Sequence, residues 1–229
     1  MTEPPKSSPP NTNEAIVFIV EDDASMRRAL INLFQSVGLG VQAFGSASEM
    51  LQSKLPDAAS CLVLDVRLPG LSGLDFQTEM AKANVHIPII FMTGHGDIPM
   101  TVRAMKGGAV DFLTKPFRDQ DMLDAVMKAI ERNRKRRKVE KVIANLNGLF
   151  ETLTSRERDI LALVSSGFMN KQIAAELGIA EITVKIHRGH IMKKMSATSL
   201  ADLVRKAGTL GIQSTKLQRV QNPSIMSVP

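Results

Sequence analysis

Short apolar runs alternate with longer amphipathic stretches along the first half of the chain. Residues 15–20, 61–64 and 88–92 are continuous apolar runs, the length expected of strands buried on both faces. Residues 112–113 form a shorter run, and 41–44 a weaker one. Between them, helical patterns recur near 25–37, 47–55, 73–83, 98–107 and 119–131. In the first of these, Met26, Leu30, Leu33 and Phe34 fall at helical spacing, Val37 follows, and Gly38 supplies the stop. Five strands alternating with five helices predict an α/β domain with a doubly wound five-stranded parallel sheet. Ligands of such sheets sit at the carboxyl ends of the strands.

The pattern changes after residue 130. Arg132, Arg134, Lys135, Arg136, Arg137 and Lys138 crowd together, and Val139, Val142, Ile143, Leu146 and Leu149 follow at helical spacing. Residues 131–150 therefore read as a basic helical linker that prolongs the preceding helix, with Asn147-Gly148 as a candidate break. The basic run suits a solvated helix face, with DNA-backbone contact as the alternative. Residues 151–212 carry only helical patterns, at about 155–166, 170–177, 181–195 and 199–209, punctuated by Gly167 and Gly178. This predicts a second, all-α domain. Residues 1–13, with Pro4, Pro5, Pro9 and Pro10 among polar residues, are expected to be a disordered leader, and 213–229 a flexible tail. The first domain is then 14–130.

A length of 229 residues fits two domains, and a 44% hydrophobic composition is enough for real cores. No apolar run reaches the length of a membrane span, and the opening MTEPPKSSPP lacks a signal-peptide core, so a cytoplasmic protein is expected. The single cysteine, Cys61, lies in an apolar run and reads as a small core residue, in keeping with a reducing compartment. Net charge is +6, but unevenly spread: residues 1–118 hold ten Lys and Arg against twelve Asp and Glu, and residues 119–229 hold nineteen against eleven. The basic second part is a candidate for a polyanion such as double-stranded DNA; a merely soluble basic surface is the plainer alternative.

Chemistry concentrates at the predicted strand ends. Glu21, Asp22 and Asp23 follow the first strand, Asp65 ends the third, Thr93 the fourth and Lys115-Pro116 the fifth. Parallel strands bring these ends to one edge, where clustered carboxylates call for a hard divalent cation such as Mg²⁺. A lysine and a hydroxyl facing the same spot suit a phosphoryl group, and a carboxylate can itself accept one as an aspartyl phosphate. The stretches FIVEDDASMRRAL, CLVLDVRLPGLSG, PIIFMTGHG and DFLTKPF resemble the receiver domain of response regulators, whose fold is flavodoxin-like. The resemblance makes Asp65 the phosphorylation site, Thr93 and Lys115 the catalytic hydroxyl and lysine, and Phe112 the switch aromatic. Glu21, Asp22 and Asp65 become the Mg²⁺ ligands. It also implies a cis peptide bond before Pro116. The acidic pair is Glu-Asp where the family more often has Asp-Asp, which makes Asp22 the safer direct ligand. Asp23 reads as a helix cap or surface acid, and as a weaker metal candidate. Phe112 has no hydroxyl, so switching would rest on ring packing. Leu68-Pro69-Gly70 reads as a tight turn beside Asp65.

Residues 153–208 resemble the LuxR/NarL-type helix-turn-helix family. Ile160, Leu161, Leu163 and Val164 make a core-facing first helix, small Ala174 and Ala175 allow close helix approach, and Gly178 stands at the sharp turn. Residues 181–195 read as the recognition helix, whose exposed residues include Thr183, Lys185, His187, Arg188, His190, Lys193 and Lys194. The resemblance places base-edge contacts near Lys185 and Ile186, with Arg188 a further candidate; Lys171 opens the preceding helix. Gly189 stands where relatives often carry a larger contact residue. His187 and His190 are spaced like a metal pair, but neither a cysteine nor a carboxylate completes a site in the sequence, so phosphate contact or packing is expected.

The two-domain combination, with the stretch HGDIPMTVRAMK, looks most like the FixJ/StyR-like branch of response regulators. That implies a sensor histidine kinase as partner, a homodimer formed on phosphorylation, and a transcription regulator rather than an enzyme. Two readings compete with it. An aspartate-nucleophile phosphatase would place an acid two residues after Asp65, where Arg67 stands. A phosphorylation-independent DNA-binding scaffold would not need the Asp65, Thr93 and Lys115 set.

Overall fold

The structure is a computed structural model that describes residues 15–94 and 98–212. The expected leader 1–13, the tail 213–229 and the His95–Asp97 part of the HGDIPMTVRAMK stretch lie outside the described residues. The chain divides into two compact units between Arg137 and Lys138.

The first unit begins as strand and helix in alternation: β1 (Ile16–Val20), α1 (Ala24–Ser36), β2 (Gly40–Phe44), α2 (Ala47–Gln52), β3 (Ser60–Asp65), α3 (Gly73–Lys82), β4 (Ile89–Thr93), α4 (Ile98–Lys106), β5 (Asp111–Thr114) and α5 (Asp119–Glu151). All five strands are parallel, in the order β2-β1-β3-β4-β5. Strand pleating sends alternate residues to opposite faces. Phe18, Val20, Leu62, Leu64 and Phe91 pack with Met50, Phe76 and Met80 of α2 and α3. Val17, Ile19, Val63, Ile90 and Met92 pack with Leu30 and Phe34 of α1 and Met122, Val126 and Ile130 of α5. The central strands β1, β3 and β4 are buried along their whole length because both faces are covered, whereas the edge strands β2 and β5 are only partly buried. Cys61 is buried in the second layer, and that burial pushes its thiol pKa up.

The chain order reverses between β1 and β3, which makes their carboxyl ends the crevice of the sheet. Local signals start the helices that follow. The Asp23 carboxylate caps α1, accepting from the Ser25 and Met26 N–H groups at 2.7 and 2.8 Å, and Ser72 caps α3.

Helix α5 runs unbroken through Asn147-Gly148, so the expected break is absent. Its packing on the first unit continues past residue 130. Asn133, buried, accepts from the Ser60 N–H at 3.2 Å, and Arg137 pairs with Asp57. Its last residues, Leu149 and Phe150, pack against the core of the second unit. Arg132, Arg134, Lys135 and Lys138 are exposed.

The second unit continues with α6 (Ser155–Ser165), α7 (Asn170–Leu177), α8 (Glu181–Lys194) and α9 (Leu200–Thr209). Ile160, Leu161, Ile173, Val184, Ile191, Met195 and Leu203 form its core. Gly178 ends α7 in the left-handed conformation, φ 64°, and so makes the sharp turn into α8. Ala174 is buried between helices, whereas Ala175 is exposed and plays no part in their approach. No helix among the described residues is long and apolar enough to cross a membrane.

Candidate functional site

The strand-end residues meet at the carboxyl edge of the first sheet. Glu21 follows β1, Asp65 closes β3, Thr93 closes β4 and Lys115 follows β5. The Lys115 Nζ lies 2.6 Å from Glu21 Oε2 and 2.7 Å from Asp65 Oδ2. Asp65 Oδ1 accepts from the Arg67 N–H at 2.9 Å. Glu21, Asp65 and Thr93 are buried, while Asp22 is exposed at the mouth. Arg27 holds the loop from α1, donating to the Glu21 and Asp22 carbonyl oxygens at 2.6 and 3.2 Å. The peptide bond between Lys115 and Pro116 is cis.

One carboxylate oxygen from each of Glu21, Asp22 and Asp65 lies within 4.8 Å of the others. Three carboxylates against one ammonium leave two negative charges in a crevice. Burial, and then repulsion from Asp65, raises the Glu21 pKa despite its bond to Lys115. Burial lowers that of Lys115, but its bonds to Asp65 and Glu21 prevail and raise it. An all-oxygen donor set with this residual charge fits a hard divalent cation such as Mg²⁺.

Gly73 was not singled out by sequence, yet it shapes the loop after Asp65. A Cβ there would stand 2.3 Å from the Asp65 carbonyl oxygen. Glycine alone lets α3 begin against the end of β3. Phe112 is half-buried on β5, register partner of Phe91, with the two rings 6.3 Å apart.

In the second unit, Lys171, Lys185, Ile186 and Lys193 are exposed. Thr183, His187, Arg188 and Lys194 are half-buried, contrary to their expected exposure. Two of them are engaged inside the unit. Arg188 Nη1 donates to Asn170 Oδ1 at 2.5 Å, and Lys194 Nζ lies 2.7 Å from Glu157 Oε2. Glu157 is buried and forms a capping box with Thr154 at the start of α6. That Thr-x-x-Glu signature was readable in the sequence. Its partnership with α8 was not. Glu157 also supplies the carboxylate that His187 and His190 lacked in sequence: the three side chains cluster, overturning the expectation that no acid stands beside them.

Comparison with known proteins agrees with both halves. Residues 17–127 match the response regulator receiver domain family, and residues 151–207 match the bacterial regulatory proteins of the luxR family. Nodulation protein W of Bradyrhizobium diazoefficiens is 70% identical over 210 residues, 92% of each chain. Response regulator protein TodT of Pseudomonas putida is 46% identical over 83% of this chain and 84% of its own. Among solved structures, the response regulator StyR is 49% identical with a TM-score of 0.78, over 85% of this chain and 98% of that one. Full-length FixJ from B. japonicum is 38% identical with a TM-score of 0.53, over 89% of this chain and all of that one.

Proposed function

The chain belongs to the two-component response regulators that join a receiver domain to a LuxR-type DNA-binding domain, and on that premise we propose that Asp65 is the residue through which a sensor histidine kinase controls its action on DNA. The observation that carries this reading is the cluster of Asp65, Glu21, Asp22 and Lys115 at the carboxyl edge of the sheet. A carboxylate oxygen of Asp65 attacks the phosphoryl group of a phosphohistidine; an O–P bond forms as the N–P bond breaks. Glu21, Asp22 and Asp65 would hold Mg²⁺, which when bound neutralises charge on the phosphoryl oxygens. Lys115, anchored by Glu21 on one side, keeps a cation at the oxygen that gains charge. The Arg67 N–H fixes the acceptor carboxylate.

Once Asp65 is phosphorylated, the Thr93 hydroxyl turns toward the phosphoryl group and Phe112 repacks. The motive is their placement on adjacent strands β4 and β5. Exposed Ile98, Val102 and Met105 on α4 provide an apolar surface for association into a homodimer. In the second domain α8 enters the major groove, with Lys185 and Ile186 toward base edges. Lys171, Thr183 and Arg188 lie around them, and Lys193 faces phosphates. Two copies then read an inverted repeat with half-sites about one helical turn apart.

The test is phosphate incorporation from acetyl phosphate or a partner kinase. The wild type should form a Mg²⁺-dependent adduct and Asp65→Asn should not, because an amide is a poor nucleophile. Incorporation by the variant at the wild-type level would move the acceptor elsewhere. Steady turnover of small phosphomonoesters would favour a phosphatase. DNA binding indifferent to an adduct that does form would favour the scaffold reading.

A further inference from the structure

The second unit holds a group of ligating side chains that the phosphoryl chemistry leaves unused. His187 and His190 lie one turn apart on α8, where residues three apart share a face. Glu157 reaches them from the first turn of α6. One ligating atom from each of the three lies within 4.8 Å of the others. The two oxygens of Glu157 are differently engaged. Oε2 accepts from the Thr154 N–H at 2.8 Å and from Lys194 Nζ at 2.7 Å. Oε1 faces the histidines, 4.0 Å from His190 Nδ1. His187 Nδ1 is buried and has no hydrogen-bond partner, the condition of a donor or acceptor waiting for a ligand. The two rings meet edge to face, their centroids 6.5 Å apart.

We propose that Glu157, His187 and His190 form a transition-metal site of the Zn²⁺ class in the DNA-binding domain. It is distinct from the all-carboxylate cluster at the edge of the receiver sheet. Two imidazoles and one carboxylate suit Zn²⁺, Co²⁺, Ni²⁺ or Cu²⁺, whereas Mg²⁺ prefers oxygen ligands. Three protein ligands leave a fourth position for water. Ligand atoms of a tetrahedral Zn²⁺ lie roughly 3.3 Å apart, given Zn–N and Zn–O distances near 2 Å. The cluster must therefore contract, and the His190 side chain, 61% exposed, has the freedom to rotate inward. The bound ion would tie α8 to α6 from the side of Glu157 opposite Lys194. Because the Lys194 ammonium already shares that carboxylate, it opposes the metal, and its removal should strengthen binding.

The full-length protein is titrated with Zn²⁺, and separately with Co²⁺ as a spectroscopic probe, in buffer whose Mg²⁺ saturates the receiver carboxylates. The wild type should bind one equivalent, show a Co²⁺ visible absorption band and unfold at a higher temperature with Zn²⁺ than with chelator. His190→Gln and His187→Gln should each weaken binding by roughly 10- to 100-fold or more, since second-shell changes alone cost that much. Lys194→Gln should tighten it. Circular dichroism of the metal-free variants establishes that they are folded. Wild-type stoichiometry and affinity in both histidine variants, or no Zn²⁺ binding by the wild type in the presence of Mg²⁺, would overturn the site.

Discussion

The ammonium of Lys194, in the last turn of α8, lies 2.7 Å from a carboxylate oxygen of Glu157, which is buried in the first turn of α6. A lysine expected to be exposed on α8 thus ties that helix to the rest of its domain. Lys194→Ala should lower the stability of the second domain by roughly 1–3 kcal/mol, because it leaves a buried carboxylate short of its charged partner. Thermal unfolding of the variant checks this. A pure phosphate contact would instead leave the unfolding temperature unchanged and flatten the salt dependence of DNA binding.

Asp22 is the exposed member of the acidic cluster and carries no ion pair with Lys115, so its removal should not disturb the core. Asp22→Ala should lower Mg²⁺ affinity by roughly tenfold or more and reduce phosphoryl uptake in parallel. Calorimetric Mg²⁺ titration decides it, and unchanged affinity would remove Asp22 from the ligand set.

Gly73→Ala tests the loop after Asp65 from behind. The new methyl would press on the Asp65 backbone carbonyl, which lies 2.3 Å from the Cβ position. Backbone cannot yield as a flexible side chain does, so a loss of roughly 1–3 kcal/mol is expected. Phosphoryl uptake should also slow, as the carboxylate is displaced from Lys115. Denaturant unfolding and phosphorylation rate, measured together, check both effects.

On α8, Lys185 and Lys193 are both exposed, but they stand at opposite ends of the helix. The amino-terminal part of a recognition helix meets base edges. Lys185→Ala should therefore erode discrimination between target and random DNA by roughly 1–3 kcal/mol if the lysine makes one good base contact. Lys193→Ala should weaken binding to both DNAs alike and reduce the salt slope. Titrations of both variants on both DNAs at several salt concentrations separate the roles. Equal loss on the two DNAs for Lys185→Ala would demote it to a backbone contact.

Acid should weaken the second domain in a defined window. Burial alone would raise Glu157, but the Lys194 ammonium and the Thr154 N–H outweigh it and hold the carboxyl down at about 2, against 4.5 ordinarily. The Thr198 N–H, then Lys206 and Arg205, hold Asp202 at about 2, against 3.8. Both folded values lie below the unfolded ones. Their stabilisation is therefore complete above the ordinary carboxylate range and is lost as pH falls from about 4.5 toward 2. Unfolding temperatures of metal-free protein should drop across this window, and drop less in Glu157→Gln and Asp202→Asn.

The order of apolar runs and helical stretches determined the doubly wound sheet, because pleat and helix periods are written residue by residue. The same order determined which edge of the sheet carries the polar cluster. A parallel sheet carries the residues after each strand to one side, so Glu21, Asp65, Thr93 and Lys115 could be grouped before any contact was known. Caps were equally legible, since Asp23 and Thr154 act within three residues of themselves. Tertiary structure alone decided what crosses between elements. Lys194 reaches Glu157 over 37 residues and Arg188 reaches Asn170 over 18, along directions that helix crossing and rotamer choice set. Periodicity marks which face of a helix is polar, but not which polar groups that face meets. For the same reason α5 continues through Asn147-Gly148: packing of Leu149 and Phe150 on the second core outweighs the weak helix propensity of that pair. His187 and His190 gained a carboxylate only when α6 was laid against α8.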